Sequence, residues 1–582
     1  MKGWWRKVAK VDLSDREVEF EEIDKDILVD YIGGRGLGGR LLYEEIKSTE
    51  DPLDENVLVF ARGPLTGTTV PTSGRFSVST ISPLTGTILD SNVGGFFGKH
   101  FSSAGIDALV IKGRSQVPVV LKMDNDQVTV EETDLWGKTV SDSLNPLDGA
   151  SAVIGPAGEN LVRFANVVTD DDRVFGRGGV GAVMGSKNLK GLSVKGDKKV
   201  GIDDRELLKN YLKKAVSKIE SSPVTSRGLR KFGTPILVNL LDWLGMFPLE
   251  NFQRVKDDRV DNLSGETMKD EIVYGHYRCH ACPIRCGLKT KTDKQEGKGP
   301  EYESVWALGA NLGVFDLKKT TEANYLCNEL GLDTITTGGT IASAMEMYER
   351  GVWDETDGFG SDVTELIKMI AYREDIGEDL AEGSKRLCER YNCDYSMSVK
   401  GMELPAYDPR GAAGQALSFA TSNRGGCHLR GYMIGEEIFG VPKLFDRFNT
   451  SGKAEVVKRS QERNAYLDSL IVCKFSSFAL GEEYYSRFLE AVTGVEYTVG
   501  ELHTIGERIY NLERMFNVSN GFSRKDDRLP ERFNEPLTEG ASSGNLFDIE
   551  KMLDDYYEAM GWDRKGKPTG NKLEELGLIF MV

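Results

Sequence analysis

The feature that most constrains this chain is where its glycines fall. The sequence carries 65 glycines against 18 prolines, without a collagen period. The densest segments, residues 33–39, 63–98 and 176–191, all lie in the first third. Between them run short apolar or alternating stretches such as VLVFARG, GRFSVST, DALVIKG and GLSVKG. That pattern reads as strands and hairpins broken by glycine turns. Bare glycine backbone also lets a second group approach closely, so the same turns suit a large polar ligand.

The period changes at Asp203. Leu207, Leu208, Tyr211, Leu212, Ala215, Val216 and Ile219 share one face of a 3.6-residue repeat behind acidic N-terminal residues. Similar helical signatures recur to the C-terminus, and no tandem repeat is visible. The expected fold class is α+β, an N-terminal β-rich cofactor-cradling domain followed by two mainly α-helical domains. The expected boundaries are 1–200, 201–405 and 406–582. With 582 residues, several cores are affordable.

The net charge of −18, from 91 acidic and 73 basic side chains, argues against nucleic acid as a partner. No apolar run approaches the roughly 20 residues that cross a bilayer. The N-terminal MKGWWRKVAKVDLSD lacks the apolar core of a secretory signal, so a cytoplasmic location without membrane insertion is expected.

Three of the eight cysteines, Cys279, Cys282 and Cys286, stand in the C-x2-C-x3-C run RCHACPIRCG. Clustered thiolates favour zinc or an iron–sulfur cluster over hard cations. His276 and His280 keep zinc open, whereas a cubane needs three clustered cysteines and one remote. Cys473 is the candidate remote ligand, because Cys327, Cys388 and Cys393 sit in helical segments where a buried inert thiol is the default. Two segments spell G-x-G-x-x-G, at Gly34 and Gly176, but neither follows a clear strand as a dinucleotide site should. Each carries an arginine, Arg35 and Arg177, among bare amides that suit phosphate groups. Arg75 and Asn92 lie in a third glycine-rich stretch.

Taken together, SGRFSVS, GAVMGSKNLK, CHACPIRC, GPEYES, DTITTG, ELPAYDPRG and DSLIVC resemble the aldehyde:ferredoxin oxidoreductases, in order and over nearly the whole length. The resemblance implies tungsten, or molybdenum, held by two molybdopterins (a bis-molybdopterin), one 4Fe-4S cluster, and Mg2+ bridging the pterin phosphates. It implies that Cys279, Cys282, Cys286 and Cys473 hold the cluster and that Arg75 bridges it to a pterin. Asn92 and Ala182 would supply backbone carbonyls to the magnesium, and Arg177 would meet phosphate. The segments Asp333 to Gly338 and Asp468 to Cys473 would contact the pterins. Family members commonly have glycine at the fourth position of these segments, where this chain has Thr336 and Ile471.

The resemblance further implies Glu303 as general base and His428 as hydrogen-bond donor in oxidising aldehydes to carboxylic acids. Glu301 competes with Glu303. Electrons would pass to ferredoxin or an iron–sulfur partner subunit, in a homodimer or a hetero-oligomer. The single-iron dimer site of some members would be missing, since no histidine lies between His280 and His428. Two other readings compete: a benzoyl-CoA reductase catalytic subunit, in which Cys427 would join the metal, and a non-catalytic electron-transfer subunit.

Overall fold

The computed structural model describes residues 1–581. Strands β1 (Lys7–Asp12), β2 (Glu17–Glu22), β3 (Leu58–Ala61), β4 (Phe76–Ile81), β5 (Ile88–Val93) and β6 (Ala108–Lys112) build one sheet in the order β2-β1-β6-β3-β4-β5. Only β1 and β6 pair in parallel. Strands β7 (Val119–Asp124), β8 (Gln127–Glu132), β9 (Ala150–Val153), β10 (Val167–Thr169), β11 (Val174–Phe175) and β12 (Leu189–Lys195) build a second, in the order β11-β10-β9-β12-β7-β8. Here only β7 and β12 pair in parallel.

Read from its other edge, the second sheet follows the path of the first with six added to each strand number. Each also places a short helix before its last strand, Phe97–Ser103 and Val180–Ser186. The first third is thus a duplicated unit, which corrects the expectation of no repeat. The two halves share topology through burial pattern and turns more than through residue identity. An aromatic group joins them: the Phe76 ring lies 4.4 Å from Phe101 and 6.2 Å from Phe175, and Phe60 lies 5.9 Å from Phe175. Each such pair adds about 0.5–1.5 kcal/mol beyond its buried area.

The rest is mainly helical. Helix Arg205–Ser221 opens where the Asp204 side chain accepts from the Glu206 and Leu207 amides. Helices Leu317–Leu330 and Thr334–Glu349 share a core with the second sheet, and Lys453–Leu470 and Val499–Ser519 share one with the first. No helix among the described residues is long and apolar enough to cross a membrane.

The glycines divide into distinct uses. The first run, expected as a loop, is instead the start of helix Gly34–Glu45, packed between the first sheet and Lys453–Leu470. Small residues there let the elements close up. At Gly63, after β3, a Cβ would come within 2.7 Å of the Ser469 carbonyl oxygen and 2.8 Å of that of Leu470. Its counterpart after β9, Gly155, meets the end of Leu317–Leu330, with the Gly331 nitrogen 2.9 Å from a Cβ built there. Each sheet therefore receives one helix end on one glycine. Gly63→Ala should push that end away and cost about 1–3 kcal/mol of stability. Thermal melting checks this, and an unchanged melting temperature would show that the contact yields freely.

Candidate functional site

A cavity of about 1450 Å³ lies where the turns of both sheets meet the helical part. Two helix ends reach its wall in the same way. Leu317–Leu330 closes on Gly331 at φ 81°, and Lys453–Leu470 closes on Ile471 at φ 62°, both left-handed. Three residues before each turn stand Asn328 and Asp468, and two after stand Asp333 and Cys473. All four line the cavity, together with Leu332 and Val472.

The spatial counterpart of residues 468–473 is therefore 328–333. The segment expected at 333–338 shares only Asp333 with that counterpart, because the left-handed turn sets the register. Gly338 then falls inside Thr334–Glu349, where a Cβ would strike Ala307, and it is not part of the cavity wall. Ile471 occupies a conformation that costs a non-glycine residue roughly 1–2 kcal/mol. Thr336 is an ordinary helical residue whose hydroxyl donates to Asp333 Oδ2 at 2.8 Å.

Asp333 caps its helix by accepting from the Ile335 amide at 3.1 Å, and Arg177 Nε reaches its Oδ2 at 3.2 Å. Arg177 follows Gly176 and precedes Gly178 and Gly179, whose φ of 88° and 86° form the turn into helix Val180–Ser186. Its other nitrogens donate to the Gly426 and Glu403 carbonyls at 2.7 Å each. Ala182 lies within that short helix, fully buried and away from the cavity wall. Asn92, on β5, lines the cavity with Nδ2 unpartnered.

Cys279, Cys282, Cys286 and Cys473 all line the same cavity. The loop carrying three of them is stitched to the first third: the Thr72 amide donates to Ala281 O and the His280 amide to Gly95 O, both at 3.0 Å. The Cys473 amide donates to Thr72 O at 3.0 Å, which brings the fourth thiol to the same place. Arg75 Nη2 stands 3.6 Å from Cys473 Sγ. Burial pushes the Cys282 thiol up to about 11 and Cys286 up as well. No three Cys, His, Asp or Glu side chains among the described residues converge on one metal ion. His276 is exposed, and His280 Nε2 is engaged with Thr68 O at 2.8 Å.

Glu303 and His428 meet across the cavity, with Oε1 3.6 Å from Nε2. That is too long for a hydrogen bond. Glu303 Oε2 accepts from the Ala406 amide at 2.9 Å, leaving Oε1 and His428 Nδ1 without protein partners. Burial pushes the Glu303 carboxyl up to about 8. Burial, reinforced by Arg177, Lys474 and Arg424, holds His428 well below the usual imidazole range, so its ring is neutral. Tyr407 and Tyr432 pack beside that ring, with centroids at 5.4 and 5.9 Å. Glu301 also lines the cavity, but its oxygens are taken by Arg173 at 3.0 Å and the Thr234 hydroxyl at 2.6 Å. Those two partners separate the competing carboxylates.

Residues 8–196 match the family described as aldehyde ferredoxin oxidoreductase, N-terminal domain, and residues 210–578 match its domains 2 and 3. The chain is 45% identical to the tungsten-containing aldehyde ferredoxin oxidoreductase of Pyrococcus furiosus, with 99% of both chains covered. The chain belongs to the aldehyde ferredoxin oxidoreductase family. It is also 44% identical to the tungsten-containing aldehyde ferredoxin oxidoreductase of Thermococcus kodakarensis, with 99% of both covered. A solved active-site complex of benzoyl coenzyme A reductase superposes with a TM-score of 0.87 over 100% of this chain and 98% of that one. At 24% identity, that likeness establishes a shared fold.

Sequence reasoning singled out Arg35 for phosphate and noted Arg424 and Arg430 near His428, but passed over the buried charge cluster that they form with distant carboxylates beside the cavity. Arg35, 1% exposed, pairs with Glu513 through bonds of 2.6 and 2.7 Å and lies 3.6 Å from Asp468. Arg430 pairs with Asp90, and Lys474 stands 3.3 Å from Asp468. Arg35 Nη1, Arg424 Nε and Arg430 Nε are buried without a hydrogen-bond partner. Leaving such donors unpaired costs about 1–3 kcal/mol each, so they suit a polar anionic ligand. The sequence signal was present in the paired arginines around His428, but their carboxylate partners lie tens to hundreds of residues away. Cys427 is not part of the cavity wall: its sulfur accepts from Arg424 Nη2 at 2.9 Å and the Leu429 amide at 3.3 Å. Arg424 and Arg430 pull its thiol down to about 6 against burial.

Proposed function

We propose that the chain oxidises aldehydes to carboxylic acids at a tungsten bis-pterin centre, passing electrons through one 4Fe-4S cluster to ferredoxin or a partner subunit, in the cytoplasm. The observation that carries this reading is the Glu303 and His428 pair, each with a free polar atom, in a cavity whose wall also holds four thiols. The residues fit the groups. Three thiols from one short loop and a fourth from a remote segment, all on one cavity wall, suit a multi-iron cluster better than zinc. The unpartnered nitrogens of Arg35, Arg424, Arg430 and Asn92 suit pterin and phosphate oxygens. Arg75 would hold a place between cluster and pterin, and Mg2+ would join the phosphates.

Bound in this cavity, the metal would supply a two-electron acceptor, and the cluster held by Cys279, Cys282, Cys286 and Cys473 would supply a one-electron relay. Glu303 takes a proton from the water that attacks the aldehyde carbon, a task for a carboxylate whose pKa burial has raised towards neutrality. The neutral His428 ring donates to the substrate oxygen and stabilises the charge developing there. Tyr407 and Tyr432 hold that ring in place. Aldehyde and water thus give the carboxylic acid, two protons and two electrons.

The benzoyl-CoA reading needs a cysteine at the metal, and the turn of Cys427 towards Arg424 does not favour it. Anaerobically purified protein, assayed with a viologen dye, should reduce the dye with a panel of aldehydes and not react with benzoyl-CoA. It should contain tungsten and pterin besides iron. Iron alone would leave only the electron-transfer reading.

A further inference from the structure

Helix Ser384–Tyr391 contributes no residue to the main cavity and ends with Asn392 left-handed at φ 53°. The Cys393 amide donates to Cys388 O at 3.0 Å and the Asn392 amide to Glu389 O at 3.4 Å. This is the paired hydrogen-bond pattern of a Schellman helix end, which brings the side chains of its first and sixth residues together. An apolar contact usually fills that place. Here both positions are cysteine, Cys388 and Cys393, so the turn draws these two side chains together.

The surroundings suit exchange with solvent. Both cysteines line a second cavity of about 480 Å³, together with Lys385 and Glu389. Cys388 is buried and Cys393 partly exposed. Its neighbour Cys388 holds the Cys393 thiol below its usual range, against burial and the charges of Asp394 and Glu346. Cys393 and burial in turn push Cys388 up. Cys393 is thus the more accessible sulfur and Cys388 its shielded neighbour, the arrangement of an attacking and a resolving cysteine.

We propose that Cys388 and Cys393 form a reversible dithiol–disulfide modification site whose oxidant is a hydroperoxide. The Cys393 thiolate attacks the outer peroxide oxygen, and the O–O bond breaks to release an alcohol, or water from hydrogen peroxide, leaving a sulfenic acid. The Cys388 sulfur then attacks that sulfenic sulfur, giving up its proton, and hydroxide departs as water. The two thiols lose two electrons and the peroxide gains them. The helix that the disulfide would clip begins at Ser384, whose amide and hydroxyl donate to Glu403 at 3.0 and 2.8 Å. Glu403 O in turn anchors Arg177, so the clip would brace an element backing the main cavity.

The test uses the folded, metal-loaded protein, treated anaerobically with hydrogen peroxide, then denatured, alkylated and digested. Trypsin cuts after Arg390, between the two cysteines. Peroxide should replace most of the two alkylated peptides by one linked species, unalkylated and lighter by two hydrogens than the sum of the two free-thiol peptides, and dithiothreitol should restore them. Cys393→Ser should abolish the linked species, whereas Cys388→Ser should leave a sulfenic acid at Cys393 that dimedone traps. Buried Cys327 should stay alkylated throughout. Two cysteines still fully alkylated, or Cys393 oxidised further without a link, would overturn the assignment. The wild-type peptide map decides the matter even if a serine variant fails to fold.

Discussion

Replacing Glu303 by Gln is expected to lower turnover by about 100- to 10,000-fold, the usual contribution of a positioned general base. The change is nearly isosteric and keeps an oxygen for the Ala406 amide, so metal, pterin and iron contents should stay unchanged. The unaltered protein should show the matching pH dependence. Burial holds the Glu303 carboxyl at about 8, and the working form is the carboxylate. Below that value kcat/KM should rise roughly tenfold per pH unit, and above it level off. Glu301→Gln, which removes a partner of Arg173 and Thr234, should leave the pH profile in place. A Glu303→Gln variant that still turns over, or a flat profile below pH 8, would move the base elsewhere.

Cys473→Ser should cost the protein its cluster. Losing a ligand outright should weaken cluster retention by at least about 100-fold, the upper range for the less direct loss of an outer-shell partner. Iron analysis and the reduced cluster's paramagnetic resonance read this directly, and ferredoxin-linked turnover should fall with them. Tungsten and pterin should remain, because Asp468 and the left-handed turn at Ile471 are untouched. Cys427→Ser is the control, since that sulfur faces Arg424 and not the cavity. Unchanged iron in the Cys473→Ser variant would remove Cys473 from the ligand set.

Much of the site was legible from local signals. The spacing of Cys279, Cys282 and Cys286 puts three thiols in one short loop, whatever surrounds it. The amphipathic period after Asp203 and the apolar runs between glycines were equally readable, because strands and helices leave their periods in the chain. The duplicated sheet was not. Its two halves share few visible marks, among them Gly-Pro after β3 and β9 and Arg-Phe at Arg75 and Arg163. Strand pairing depends on burial pattern, which many sequences satisfy.

The sequence by itself determined the chemistry available: clustered thiols, bare glycine backbone, arginines near a histidine, and carboxylates in GPEYES. Only the tertiary structure decided which members of that set face the cavity. Glu303 and Glu301 are alike in sequence, and contacts from Arg173 and Thr234 separate them. The register of the two cavity-lining segments follows the left-handed turns at Gly331 and Ile471, where two helix ends seat on Gly155 and Gly63. Those glycines lie hundreds of residues from the ends they receive. Backbone handedness and close packing at such distances leave no local pattern, whereas ligand spacing within a single loop does.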